Sequence, residues 1–136
     1  MPRRQIIGPV ILPLLLSGFL VQALVPMVRI LTSYRALDEG HSAEVIGAIS
    51  AVFSLLPILL TVAIGRFNDR GGTGQVVAVG AFGCLVACAI FWLGPTDLVT
   101  LFAVNALLGI SQTCVLAGLQ VITARSSSRV HRDALL

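Results

Sequence analysis

The sequence has very little charge. Of its 136 residues only 11% are charged and 6% are aromatic, and lysine is absent. A water-soluble domain spends about a quarter of its residues on charge, because its surface must be solvated. The shortage argues against a soluble enzyme and against a disordered chain, which needs high charge and low hydrophobicity. The arginines are scattered in pairs and triplets, which does not fit a nucleic-acid-binding surface.

Long apolar runs take the place of the missing charge. Four uncharged runs, each more than 20 residues long, lie between the pairs Arg4 and Arg29, Glu44 and Arg66, Arg70 and Asp97, and Asp97 and Arg125. As a helix, each run can cross the roughly 30 Å apolar core of a bilayer. Lipid offers the backbone no hydrogen-bond partners, and the runs lack the alternation of barrel strands. The sequence therefore predicts an all-α membrane protein with four transmembrane helices.

The charge pattern also sets the predicted boundaries of these helices. The four predicted spans are residues 6–31, 44–65, 76–94 and 98–123. They leave links at residues 32–43, 66–75 and 95–97, an N-terminal segment at residues 1–5 and a basic tail at residues 124–136. Short links make sequential helices antiparallel neighbours, so both chain ends are expected on one side of the membrane.

The arginines are unevenly divided between the two sides. The side that holds both chain ends and the link 66–75 receives seven of the nine. Cytoplasmic loops of membrane proteins carry an excess of basic residues. We therefore expect both ends on the cytoplasmic face of a plasma or inner membrane.

Amides and one arginine interrupt the apolar runs of the first and fourth spans. Gln22 and Arg29 lie in the first span, and Asn105 and Gln112 lie in the fourth. Counted from the ends of the runs, Gln22 and Asn105 stand at similar depth, with Gln112 nearer mid-membrane. Polar side chains are costly in lipid, so these four are the candidates for a substrate cavity. The alternatives are interhelical hydrogen bonds for the amides and, for Arg29, a side chain that reaches the outer headgroups.

Cysteine and histidine give no sign of chemistry. Cys84, Cys88 and Cys114 lie in predicted spans with no histidine or acid at that depth, which favours small packing residues over metal ligands. His41 and His131 fall on opposite sides of the predicted membrane. Because no catalytic set can be assembled, the sequence predicts no enzyme, no cofactor and no metal site.

The link after the second span holds an acid and a base between glycines. It reads Gly65-x-x-x-Asp69-Arg70-x-Gly72. In this position the pattern resembles the motif G-x-x-x-D-[RK]-x-G-x-[RK]-[RK], which transporters of the major facilitator superfamily carry between helices 2 and 3. The last two basic positions of that motif are Gly74 and Gln75 here.

The resemblance implies a secondary transporter that carries a small solute by alternating between inward-open and outward-open states. It implies that helices 1 and 4 border the central cavity and that Asp69 and Arg70 make charged contacts in the cytoplasmic gate. Gly65 would allow close helix packing, and Gly72 would form a tight turn. Many proton-coupled drug exporters of the family carry an arginine where Asn105 stands, which argues against drug/proton antiport.

The length of the chain bears on how complete this transporter is. A family member needs about twelve helices, whereas the chain supplies four. We therefore expect an N-terminal fragment with helices 1–4, whose partners are the lipid bilayer, a small-molecule solute and the missing C-terminal helices of the same transporter. The alternative is a stand-alone four-helix membrane protein that acts by oligomeric assembly, as a small exporter or a scaffold.

Overall fold

A computed structural model of the protein consists of helices and short links in the part of the chain that it describes. It describes the backbone of residues 8–133 and the side chains of residue 12 and residues 15–125. The helices are α1 (Gly8–Asp38), α2 (Ala43–Phe67), α3 (Thr73–Leu93) and α4 (Leu98–Asp133). The predicted N-terminal segment 1–5 and residues 134–136 of the predicted tail lie outside the described residues.

Two helices continue past the ends of their apolar runs. The helix α1 extends to Asp38, so most of the predicted link 32–43 is helical. The helix α4 extends through the basic tail to Asp133. The charge pattern marks where a helix can leave lipid, but a helix satisfies its own backbone in water as well as in lipid. The membrane boundary therefore does not set the end of α1, which is set by a local cap.

The end of α1 shows such a cap. Gly40 adopts a left-handed conformation, with φ of 77°. The N–H of Gly40 donates to the carbonyl of Leu37 at 2.9 Å, and the N–H of His41 donates to the carbonyl of Ala36 at 3.1 Å. This pair of bonds is a Schellman motif, which satisfies carbonyls that a helix end leaves free. It stops α1 and directs the chain into α2.

A five-residue turn, Asn68–Gly72, joins α2 to α3 with π-helical hydrogen bonding. Gly71 has φ of 91° and ψ of 2°, a conformation that only glycine adopts readily. The expectation that Gly72 forms the tight turn is therefore wrong. Gly72 has φ of −78° and lies against the ring of Phe67, where there is no room for a Cβ atom. Gly71 stands at a variable position of the motif, so the motif did not single it out.

Glycines bring α3 close to α4. A Cβ atom on Gly80 would lie 2.7 Å from the carbonyl oxygen of Ser111, and Gly83 lies against the hydroxyl of the same serine. About two turns further along α4, nearer the Gly71 turn, Gly118 lies against Val77 of α3. Small residues at such positions let two helix backbones approach closely, which is how helices associate in an apolar medium.

The contact between α2 and α4 depends on a proline. Pro57 lies inside α2 and has no N–H to donate to the carbonyl of Phe53, four residues earlier. Gly109 of α4 lies directly against that carbonyl, and its lack of a side chain makes the approach possible. Thr61 donates its hydroxyl to the carbonyl of Pro57 at 2.6 Å. The break in the α2 hydrogen-bond ladder is thus covered by α4.

The contacts with α4 show that α2 and α3 run in opposite directions. Phe53 of α2 and Gly83 of α3 both lie beside the stretch 109–111 of α4. The far end of α2 meets α4 further along, where Arg125 donates to the carbonyl of Asn68 at 3.5 Å. Since α3 begins directly after this point, the chain reverses at the Gly71 turn and α2 and α3 form a helical hairpin.

The helix α1 completes the bundle by packing along α4. Two clusters of buried residues hold it in place, and α4 contributes to both. The larger contains Val25, Val28, Cys84, Ala87, Val104 and Leu108. The smaller contains Ala36, Ile49 and Leu101. Near the end of α1, Arg35 donates to the carbonyl of Phe91 and lies over its ring, which fastens α1 to the last turns of α3.

Among the described residues, three continuous helical stretches are long and apolar enough to cross a membrane: Leu15–Asp38, Ala43–Leu93 and Leu98–Arg125. The middle stretch has 51 residues because helical hydrogen bonding continues through the turn between α2 and α3. A straight helix of that length would measure about 77 Å, more than twice the thickness of the apolar core of a bilayer. The reversal at Gly71 divides it into two arms of similar length.

The outer surface of the bundle is apolar. Large side chains such as Leu59, Leu93 and Trp92 are 75%, 83% and 80% exposed. Soluble monomers rarely expose contiguous apolar patches of more than a few hundred Å². A surface of this kind fits lipid or further helices as its surroundings.

Replacing Gly71 by alanine should destabilise the bundle by about 1–2 kcal/mol, because alanine is strained at positive φ. The space around Gly71 is open, so the cost is one of backbone conformation alone. The matched control is Gly74→Ala, which is equally uncrowded but helical and should be neutral or stabilising. Unfolding in detergent micelles, followed by circular dichroism, measures both. Equal stability of the two variants would contradict the assignment.

Candidate functional site

Two amides from different helices meet at an exposed position between α1 and α4. The Nε2 group of Gln112 in α4 donates to Oε1 of Gln22 in α1 at 2.6 Å. Gln22 is therefore level with Gln112. The sequence had predicted that it would be level with Asn105. The reason is that α1 ends at Asp38 and not near the end of its apolar run, so Gln22 lies deeper than a count from that run implies.

Arg29 lies on the same side of α1 as Gln22, since the two are seven residues apart and seven residues make almost two full turns. Its guanidinium carbon lies 4.0 Å from the centroid of the Phe53 ring in α2. Phe53 stands ten residues after the start of α2, or about 15 Å along the helix. The charged group of Arg29 thus rests against a neighbouring helix and does not extend to the helix ends.

Asn105 does not share this position. It is 2% exposed, and its Nδ2 group donates to the carbonyl of Leu101 in the same helix at 3.0 Å. It lies between Leu101, in one core cluster, and Leu108, in the other. Three packed helices cover this part of α4, so the amide bonds to its own backbone. The prediction that Asn105 lines a cavity is therefore wrong.

The opposite side of α1 is apolar. A groove of about 620 Å³ runs between α1 and α3, and its walls are formed mainly by the aliphatic residues Leu20, Leu24, Leu31 and Leu85. Cys84 and Cys88 also line it, and both are free thiols, as is Cys114. This groove is therefore mainly aliphatic, whereas Gln22 contacts α4 and Arg29 contacts α2. Nearer the end of α1, Arg35 contacts α3.

The turn Asn68–Gly72 contains one buried polar side chain. Asn68 is 2% exposed, and its Oδ1 atom has no hydrogen-bond partner among the described residues. Its backbone carbonyl accepts the hydroxyl of Thr73 at 3.3 Å and the guanidinium of Arg125 at 3.5 Å. Asn68 thus ties the turn to the start of α3 and to α4. It occupies a variable position of the motif, which is why the sequence did not point to it.

The charged residues of the motif point away from the bundle. Asp69 and Arg70 are exposed, and neither takes part in an ion pair between described residues. Asp69 borders a groove of about 300 Å³ between α2 and α4, whose walls include Gly65, Ala117 and Gln120. A Cβ atom on Gly65 would meet nothing within 4 Å, so within these four helices Gly65 is not a packing contact.

Metal-binding clusters are absent from the described part of the chain, which contains no group of three histidine, cysteine or acidic residues placed to hold an ion. The ion pair found among the described residues joins His41 to Glu39 in the link after α1, at 3.3 Å. What the bundle places at depth is instead an amide pair and a guanidinium on an aromatic ring.

The family model of the Major Facilitator Superfamily matches residues 6–136. The chain belongs to the major facilitator superfamily. No curated protein and no solved structure matches it. The match extends through all four helices and the turn between α2 and α3.

Membership of the superfamily establishes the setting in which the four helices work. The protein is a multi-pass membrane protein of a family of secondary transporters, which act on solutes and are not enzymes. The long apolar helices agree with this setting by length and composition. The amide pair and Arg29 are therefore polar groups of a membrane transporter, where such groups at depth are costly and often functional.

The partners of these groups were beyond sequence reasoning. Phe53 carried no signal, because an aromatic residue in an apolar run is ordinary. The pairing of Gln22 with Gln112 depends on the level at which α1 crosses α4, which the core clusters fix. A count from the capped end of α1 at Gly40 would have placed Gln22 closer to its partner than a count from the last apolar residue did.

The hydrogen bond between Gln22 and Gln112 should appear as energetic coupling in a double-mutant cycle. We expect Gln22→Ala and Gln112→Ala to be coupled by about 0.6 kcal/mol, and by no more than about 1.7, the range found for such bonds between membrane helices. Unfolding in detergent micelles measures each variant and the double variant.

The control cycle combines Gln22→Ala with Gln120→Ala. Gln120 is an exposed amide of the same helix, about two turns further along, and should show no coupling. Equal coupling in the two cycles would contradict the pairing.

Proposed function

We propose that the chain forms four membrane crossings, one for each of α1 to α4. The antiparallel arrangement of α2 and α3 supports this count, because a reversal at Gly71 leaves each arm long enough to cross once. The excess of arginines at the chain ends and at the Gly71 turn supports a cytoplasmic location for that side of a plasma or inner membrane.

The chain carries a small solute by alternating access, as part of a secondary transporter. The observation that supports this most directly is the match of the whole bundle to a transporter family, together with the amide pair at depth. Gln22, Gln112 and Arg29 form the polar wall of the solute cavity on α1 and α4. An amide offers both a donor and an acceptor, so the wall can replace part of the hydration of a polar solute.

Further helices of the same transporter complete the cavity. Apolar side chains cover the outside of the bundle, and Gly65 is open to an approaching helix. Asp69 and Arg70 stand exposed beside it, at the proposed cytoplasmic end of α2. They contribute to the cytoplasmic gate by pairing with polar groups that approach this end in the inward-closed state.

The number of crossings is tested by locating the two chain ends. An even number of crossings leaves both chain ends on one side of the membrane. If Ala43–Leu93 crossed only once, the number would be odd and the ends would lie on opposite sides. Green fluorescent protein, which becomes fluorescent in the cytoplasm but not when exported unfolded, is fused to either end. Four crossings predict fluorescence from both fusions. Fluorescence from one fusion alone would contradict the proposal.

The gate is tested by substituting Asp69 in the complete transporter, reconstituted in liposomes. We expect Asp69→Asn to slow solute uptake by about tenfold with little change in substrate affinity, because a charged contact of one state is lost. Asp38→Asn is the matched control at another exposed aspartate and should leave uptake within about twofold. A wild-type rate for Asp69→Asn would remove the gate assignment.

A further inference from the structure

Arg29 has no acidic partner among the side chains that the structure describes. The acidic side chains that the structure describes lie at helix ends or in the links, namely Asp38, Glu39, Glu44, Asp69 and Asp97. None of them forms an ion pair with Arg29. The residue lies nine positions before the end of α1, or about 14 Å along the helix. A charge at this depth is costly unless something pairs with it.

A second arginine of α1 shows what a structural arginine looks like in this bundle. Arg35 lies over the ring of Phe91, 4.5 Å from its centroid, and also donates to the carbonyl of Phe91. Arg29 has the equivalent stacking contact with Phe53, but its N–H groups have no acceptor among the described residues. The donors of Arg35 are thus bonded to the backbone of α3, whereas those of Arg29 have no acceptor in the part of the chain whose side chains are described.

Stacking leaves a guanidinium ready to bind an oxyanion. The guanidinium carbon lies over the Phe53 ring. A guanidinium carries its N–H donors in its own plane, so a contact over a ring leaves in-plane donors available. Two parallel donors in that plane match the two oxygens of a carboxylate or a phosphate. The ring also fixes the orientation of the guanidinium, so less conformational freedom is lost on binding.

The amide pair lies at a fixed distance from this group. Gln22 precedes Arg29 by seven residues on the same side of α1, which is about 10 Å along the helix. The hydrogen bond between Gln22 and Gln112 uses one donor and one acceptor. The remaining amide donor of Gln22 and the carbonyl oxygen of Gln112 have no partner among the described residues, so each can bind a polar group of a solute.

We propose that the solute is an organic anion whose carboxylate or phosphate binds Arg29. Its polar groups bind Gln22 and Gln112, about 10 Å nearer the start of α1. This inference rests on the proposed transport function, because it names the class of solute that the same cavity takes. A lipid headgroup phosphate has the same oxyanion chemistry, so the test must separate a soluble anion from a lipid.

The first test observes the two arginines of α1 in one spectrum. The chain is labelled with ¹⁵N-arginine and held in maltoside micelles, which carry no phosphate. Sodium benzoate or inorganic phosphate is added at constant ionic strength, and neutral benzamide serves as the control. We expect the Nε–Hε signal of Arg29 to shift and saturate with either anion, while that of Arg35 stays in place. An unmoved Arg29 signal, or an equal shift of both arginines, would overturn the proposal.

The second test compares the effect of anions on variants of the two arginines of α1. Benzoate or phosphate should raise the unfolding temperature of the unsubstituted chain and of Arg35→Gln. Arg29→Gln should lose this rise, and Arg29→Lys should need about tenfold more anion, since lysine cannot bind in a bidentate manner. A rise that persists in Arg29→Gln would contradict the assignment. If Arg29→Gln does not fold, the spectrum of the unsubstituted chain still decides.

A third arm adds phosphatidylglycerol to the micelles. A shift of Arg29 with this lipid, and no further response to soluble anions, would make the ligand a headgroup and overturn the proposal.

These outcomes are independent of the location of the chain ends. Chain ends on one side with an unresponsive Arg29 would leave the transport proposal standing and remove the anion. Chain ends on opposite sides would remove the four-crossing architecture, whatever Arg29 binds.

Discussion

The close approach of α4 to its neighbours is the constraint on which the rest of the bundle depends. In lipid, apolar side chains gain nothing by leaving the solvent, so helices associate through tight packing and a few polar contacts. Glycines at the contacts provide this packing, with Gly80 and Gly83 on α3 and Gly109 on α4. Pro57 adds a carbonyl against which Gly109 fits. Because α4 contacts each of the other three helices, it fixes the level at which every polar group stands.

The polar groups follow from that arrangement. Where α4 is covered on several sides, Asn105 bonds to its own helix and is structural. Where fewer residues pack around α4, Gln112 donates a hydrogen bond to Gln22 of α1. The guanidinium of Arg29 in α1 lies over the ring of Phe53 in α2. The same helix therefore separates packing residues from those that can meet a solute. The groove between α1 and α3 is mainly aliphatic, and the guanidinium that α1 places against α3, that of Arg35, is bonded to the carbonyl of Phe91.

The sequence was sufficient to predict the helices, because helix formation in lipid depends on the local run of residues. Long uncharged runs must be helical in lipid, and each of α1 to α4 takes up most of one run. Sequence reasoning failed where the answer depends on three dimensions. The end of α1 is set by the cap at Gly40, and the reversal between α2 and α3 is set by Gly71. In the sequence, nothing distinguishes Gly71 from the other glycines and polar residues around it. The burial of Asn105 and the exposure of Gln22 depend on where helices cross, which no spacing along one helix reveals.

The central claim is that α2 and α3 fold back on each other against α4, and a distance across that hairpin tests it most directly. Spin labels on Ala48→Cys and Ala89→Cys, with the native cysteines replaced, would lie near the two far ends of the hairpin. Pulsed electron paramagnetic resonance in lipid nanodiscs should give a distance below about 30 Å, since both helices pack on α4. A distance near 60 Å, the length of an unbroken helix between these residues, would contradict the fold and the transporter built on it.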